Sequence, residues 1–154
     1  MNELDALYER DFSAWALGTA ELLKKGCFSE LDIEHLLEEL TDMGASERNE
    51  LESRLTVLLT HLLKWHFQYR TLSAKWQEFD GRIWRFTILE QRNRIRKRLH
   101  GSPSMKPRLA ALAKEAYQDA VELASKETGL PLATFPNECP YAWEQIMDDE
   151  FYPQ

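Results

Sequence analysis

Four histidines, two cysteines and scattered carboxylates are the residues of this 154-residue chain able to move protons or hold a metal. Their spacing argues against most ways of doing either. His61 and His66 lie five residues apart, about 140° around a helix axis, so they do not chelate one ion as an i, i+4 pair would. A di-metal carboxylate bundle needs Glu-x-x-His repeated on two helices. Three residues before His61, His66 and His100 stand Leu58, Leu63 and Lys97. Asp32 and His35 have the spacing once, with the acid placed as a helix cap on an outward face. There is no phosphate-cradling glycine loop, no G-x-S-x-G, no H-E-x-x-H and no EF-hand pattern. No catalytic residue, metal or cofactor is assigned, and the balance shifts from enzyme toward binding.

Two constellations remain. Asp11, Glu39, His61 and His66 each fall on or beside an apolar helix face. They form either a buried polar network that fixes helix register or an acid-base or metal pocket around Asp11, Glu39 and His61. The other constellation is a run of cations: Arg82, Arg85, Arg92, Arg94, Arg96, Lys97 and Arg98 cover the arc of one helix not taken by Trp84, Ile88, Ile95 and Leu99. Arginine suits bidentate pairing with carboxylate or phosphate. The readings are a solvated face balanced by acidic neighbours, a surface for an acidic protein, or a nucleic-acid surface over 82–98 with Trp76, Phe79 and Trp84 available for stacking.

The elements that must position these residues are helical. At about 100° per residue, Leu4, Tyr8, Phe12, Trp15, Thr19, Leu22 and Leu23 share one side of a first helix over 4–25, and Asp11 falls with them. A second, short helix capped by Asp32 turns Ile33, Leu36, Leu37, Leu40 and Met43 inward and Glu34, Glu38 and Asp42 outward, and closes at Gly44. The third, over about 46–68, is apolar nearly all round from its middle onward, which places it at the centre of the bundle. Residues 71–80 read as a connector. A fourth helix starts at Asp80 as N-cap, and a fifth runs over 106–128 with Ser104 as N-cap and an alanine-rich face. The tail is a proline-rich strap with a short helix opened by Pro140, held down by Phe135, Tyr141, Trp143 and Ile146. Gly26, Gly44, Gly101 and Gly129 each follow an apolar pattern as left-handed C-terminal caps would.

With 44% apolar and 29% charged residues the chain is neither disordered nor fibrous, and its length suits one domain. The formal charge of -7 disfavours whole-protein attraction to nucleic acid or anionic lipid. That charge is an average: residues 1–70 and 111–154 each sum to -7 and residues 71–110 to +7. A cationic helix stands between acidic ones. The first residues lack the basic start and apolar run of a secretory signal, no stretch reaches the roughly 20 apolar residues that span a bilayer, and Cys27 and Cys139 show no C-x-x-C spacing. A cytoplasmic protein with reduced thiols and no membrane contact is expected.

The blocks YERDFSAW at 8–15, FSELDIEHLLEELTDMGASERNELESRL, HLLKW at 61–65, EQRNRIRKRL followed by SPS, and ETGLPLATFPNECPY give the chain a family likeness. From about Leu7 to Phe151 it resembles the bacterial, notably cyanobacterial, family known as domain of unknown function 29. The resemblance implies an all-α intracellular bacterial protein and supplies no activity. The matching positions are Tyr8, Asp11, Phe12, Trp15, Glu39, Gly44, His61, Trp65, Gln91, Arg92, Pro131 and Pro140, which adds Gln91 to the candidate buried polar cluster. The segment 70–81 is longer and richer in aromatics than the family pattern.

The expectation is therefore a single all-α domain over 1–154, a compact bundle of five main helices and a short sixth. Its expected role is non-catalytic: binding a protein partner through the arginine-rich helix, in a regulatory or antitoxin-like way. Nucleic-acid binding through 82–98 and a metal or acid-base site around Asp11, Glu39 and His61 are the alternatives. Partner identity and oligomeric state are left open.

Overall fold

The computed structural model describes residues 3–154. It is all-α, with no strand among the described residues: α1 (Glu3–Arg10), α2 (Phe12–Lys25), α3 (Ile33–Lys75), α4 (Arg82–Gly101), α5 (Leu109–Thr128) and α6 (Trp143–Met147), with 3-10 turns at Phe28–Glu30, Pro103–Arg108 and Leu132–Thr134. By contacts the chain divides into two compact units, residues 1–47 and residues 48–154, and the division falls inside α3.

In the first unit the expected helix over 4–25 is two helices. Asp11 leaves helical geometry at φ -150° and accepts the Ala14 N–H on Oδ1 at 3.1 Å, so it caps α2. An aspartate gains more as an N-cap acceptor than inside a helix, where its side chain competes with the backbone. The chain folds back there, and α1 packs so close that a Cβ on Gly18 would come within 3.0 Å of the Leu4 side chain. Gly26, at φ 75°, ends α2 as expected: its N–H reaches Leu23 O and the Cys27 N–H reaches Leu22 O.

Gly44 does not end a helix. Its φ is not positive, and α3 runs through it for 43 residues. A lone glycine costs a helix about 1 kcal/mol relative to alanine, too little to stop one followed by good helix formers. Between the expected second and third helices there is therefore no break. The end of α3 also lies later than expected, at Lys75, which shortens the connector to 76–81. Gly81 is doubly required there, since its φ is 71° and a Cβ would meet Tyr69 at 2.7 Å and Trp65 at 2.8 Å. It replaces Asp80 as the N-cap of α4, while Asp80 Oδ1 still accepts the Arg82 N–H.

The core belongs to the second unit. Leu51, Leu55, Leu58, Leu59, Leu62 and Leu63 of α3 are all fully enclosed, with Ile88 and Ile95 of α4 and Ala116, Tyr117, Ala120 and Ala124 of α5 against them. The central position expected for the third helix is thus observed. Gly101 is the last residue of α4 rather than a left-handed cap, and Ser104 lies in the 3-10 turn that precedes α5 rather than capping it. Gly129 caps α5 at φ 77°. The tail then crosses back: Phe135, Tyr141 and Ile146 are buried and Trp143 packs beside them, while α6 begins at Trp143, after Pro140 rather than on it.

Candidate functional site

In the first unit, side chains from all three helices meet around Asp32. This carboxylate is buried at the start of α3, where Oδ1 accepts the His35 N–H at 3.2 Å and Oδ2 accepts Trp15 Nε1 at 3.1 Å and His35 Nδ1 at 2.6 Å. Because a carboxylate only accepts, Nδ1 of His35 carries the hydrogen. The ring of His35 stacks on Tyr8 with 3.9 Å between centroids, and the Tyr8 hydroxyl donates to Glu39. Tyr8 also meets Trp15 edge-on at 5.0 Å. Burial pushes the Asp32 pKa up, but the hydrogen bonds from His35 and Trp15 outweigh it and hold the group below the usual carboxylate range. The bond to Asp32 raises His35, and the bond to Glu39 raises Tyr8.

Trp15 Nε1, His35 Nδ1 and the Tyr8 hydroxyl all donate to carboxylates within this cluster. Among the described residues no group of three or more His, Cys, Asp and Glu could hold a metal. What the cluster does is mechanical. It fastens α1 and α2 to the His35–Glu39 side of α3, which turns the opposite side outward. There Ile33, Leu37 and Leu40 are 60%, 64% and 58% exposed, and Met43, one turn beyond Glu39, is 66% exposed. Their expected inward placement is overturned: a polar cluster occupies the inside of this unit and the leucines line its surface. Glu34, Glu38 and Asp42 are exposed, as expected, with Glu38 and Asp42 toward the Tyr8 side of α3, where both raise the Tyr8 pKa. Residues 1–47 hold 12 acids and 3 bases, a net -9.

Of the five candidates for a buried polar cluster, only Glu39 belongs to this one. Asp11 is exposed and occupied in capping α2. In the second unit, His61 donates from Nδ1 to Val57 O at 2.9 Å, His66 Nδ1 lies 2.9 Å from the Tyr141 hydroxyl, and Gln91 is buried with no partner for its Oε1. Burial pushes both His61 and His66 below the ordinary histidine value. Tyr8, Trp15, Asp32 and His35 were not among the candidates; the Asp32–His35 spacing was the one signal for them.

The arginine-rich helix is α4, and most of its cations are engaged within the second unit. Arg92 is fully buried, contrary to its expected place on the outer arc: Nε donates to Ile146 O at 2.7 Å, and one terminal nitrogen to Phe151 O at 2.9 Å and Gln145 O at 3.3 Å. Burial lowers its pKa. Arg96 pairs with Asp149 and Met147 O, Arg94 with Glu90, Arg98 with Glu50, Arg82 with Asp80, and Arg85 lies over the rings of Trp65 and Tyr152. On the outward side of α4, Ile83 and Phe86 are 79% and 66% exposed, beside exposed Arg82, Arg94 and Lys97. Residues 48–154 hold 14 acids and 16 bases, a net +2.

The chain is an all-α protein whose first unit combines a polar latch with an uncovered apolar helix face. The chain belongs to the family described as domain of unknown function DUF29, whose model matches residues 7–152. No curated protein and no solved structure matches it significantly. No helix is long and apolar enough to cross a membrane among the described residues.

Proposed function

We propose that this protein is a non-catalytic binding module that holds a protein partner on the outward face of α3 in its first unit. One observation carries the reading: Ile33, Leu37 and Leu40 stand uncovered on the helix face opposite the polar latch, with Met43 exposed at its edge. Uncovered apolar stripes of this kind mark association surfaces. The unit is also too small to afford the exposure, since of its described residues only Trp15, Thr19 and Asp32 are buried, and domains near this size are marginal even with a full core. Glu34 stands nearest the stripe and the unit carries a net -9, which selects the occupant: an amphipathic helix with Lys or Arg beside its apolar stripe. A charge of -9 on the unit repels phosphate, which disfavours nucleic acid there.

A regulatory or antitoxin-like role in the bacterial cytoplasm fits such a module. The arginine-rich helix supports it less directly, because Arg92 is internal and Arg82, Arg94, Arg96 and Arg98 already have acidic partners. Tagged protein recovered from its native host tests the reading. Leu37→Lys/Leu40→Lys is expected to lose a stoichiometric protein that the parent retains, with helicity by circular dichroism unchanged. Retention of every partner by that variant would overturn the α3 surface, and their loss from Arg94→Glu/Lys97→Glu instead would move the role to α4.

A further inference from the structure

In the second unit the tail crosses α5 without filling the space between them. A hollow of about 470 Å³ remains, walled on one side by the row Ala110, Ala113, Lys114 and Tyr117 of α5 and on the other by the tail from Asn137 to Ile146. Its lining is graded by depth. Ala113, Tyr117, Tyr141 and Ile146 are buried at the floor, Cys139 and Trp143 are half-buried, and Lys114 and Glu138 are exposed at the mouth. We propose that this hollow binds a small aromatic zwitterion of the α-amino-acid class, with the ring inside and the charged end at the mouth.

The floor suits an apolar group. Its hydroxyls are already bonded within the protein: Tyr117 donates to Pro136 O at 2.7 Å, and the Tyr141 hydroxyl lies 2.9 Å from His66 Nδ1 and 3.4 Å from Leu62 O. A charged ligand group placed there would lose water without gaining a partner. The walls suit a ring. Alanines at 110 and 113 project little from α5, and Trp143 meets no other aromatic ring among the described residues, whereas Trp65, Trp84 and Tyr141 of the same unit each do. A ligand ring beside Trp143 supplies the contact that this indole lacks. The mouth supplies both signs of charge. Lys114 and Glu138 stand on opposite walls, and neither has an ion-pair partner among the described residues, the other included. Opposite charges left unpaired at one opening match a ligand that carries both at one end, its carboxylate toward Lys114 and its ammonium toward Glu138. A phosphate ester or a simple cationic amphiphile answers only one of the two. The volume lies in the range of small-molecule sites, about 300–1,000 Å³. All of these residues belong to the second unit, so this site and the α3 surface stand or fall separately.

L-Phenylalanine is the probe and Cys139 the reporter. With Cys27→Ser in the full chain, Cys139 is the one remaining thiol. Its alkylation by N-ethylmaleimide is expected to slow at least about fivefold in saturating L-phenylalanine, with half-saturation at or below about 2 mM, the affinity that about a dozen non-hydrogen atoms reach at ordinary efficiency. 3-Phenylpropionate lacks the ammonium and phenethylamine lacks the carboxylate, and each is expected to need at least about tenfold more for the same protection. Lys114→Met is expected to weaken L-phenylalanine to that degree and leave phenethylamine unchanged. Glu138→Gln is expected to weaken L-phenylalanine likewise and leave 3-phenylpropionate unchanged. Both positions are exposed, so helicity by circular dichroism stays that of the parent. Ala113→Leu fills the floor and is expected to abolish protection; if its helicity falls, Ala110→Leu on the exposed part of the same wall takes its place. No protection by L-phenylalanine up to about 20 mM, ten times the expected half-saturation, overturns the proposal. So does equal protection by the two analogues, or indifference of binding to either substitution at the mouth.

Discussion

Helix α3 carries leucines at similar spacing along two stretches, with opposite outcomes. Over Leu51, Leu55, Leu58 and Leu62 they are fully enclosed; over Ile33, Leu37 and Leu40 they are well over half exposed. The local pattern does not distinguish them. What differs is the supply of covering chain. In residues 48–154, α4, α5 and the tail provide the cover, whereas in residues 1–47 two short helices are drawn to the other side of α3 by Trp15, Asp32, His35, Tyr8 and Glu39. Amphipathic periodicity thus identifies an apolar face without saying whether this chain or another covers it.

The sharpest break in the comparison is at Arg92. Arg92→Ala leaves the carbonyls of Gln145, Ile146 and Phe151 without their donor inside the second unit. A loss of about 3 kcal/mol or more in urea unfolding is expected, with protease cleavage appearing in 130–154. Asp32→Ala is the counterpart in the first unit. Losing the cap of α3 and the partner of Trp15 together costs about 2 kcal/mol, read as faster amide exchange confined to residues 3–47. If exchange in residues 48–154 rises equally, the two units are not separate in stability.

Gly44→Ala discriminates more finely. With nothing within 4 Å of the added Cβ it strengthens α3 by about 0.5–1 kcal/mol, read as a higher midpoint in thermal unfolding, and a methyl group on the Ile33–Leu37 side weakens binding of a helix docked there. The smallest effect is titration. His35 gains stability from its bond to Asp32 below the ordinary histidine value of about 6.5, and loses it as pH rises through its higher folded value. His61 and His66 do the reverse: as neutral buried rings they contribute above that value and lose it as pH falls through their lower folded values. Mild acid therefore favours the first unit and disfavours the second. NMR titration of the imidazole protons is expected to place His35 above the ordinary value and the other two below it.

The helical class, the central stretch of α3, the caps at Gly26 and Gly129 and the strapped tail were legible because each rests on local periodicity or turn chemistry. The candidate site was much less so. Asp32 looks like an outward cap until Trp15, 17 residues away, reaches its Oδ2. Asp11 looks like part of an apolar face until its side chain captures the Ala14 N–H. Arg92 had a signal that a charge run conceals: four residues after Ile88, three before Ile95 and seven before Leu99, it falls within the apolar arc of α4. Its partners are three backbone carbonyls more than fifty residues on, which no residue type announces.

That separation has a kinetic consequence. Helical bundles usually fold fast because most of their contacts are close in sequence. Here the contacts that close the second unit are distant: Arg92 reaches across 53 to 59 residues, Gln68 meets Thr128 across 60, and Tyr141 meets His66 and Leu62 across 75 and 79. Its helices can form early, but the guanidinium cannot be desolvated without loss until the strap arrives, so docking of the last segment sets the pace at which this protein reaches its native state.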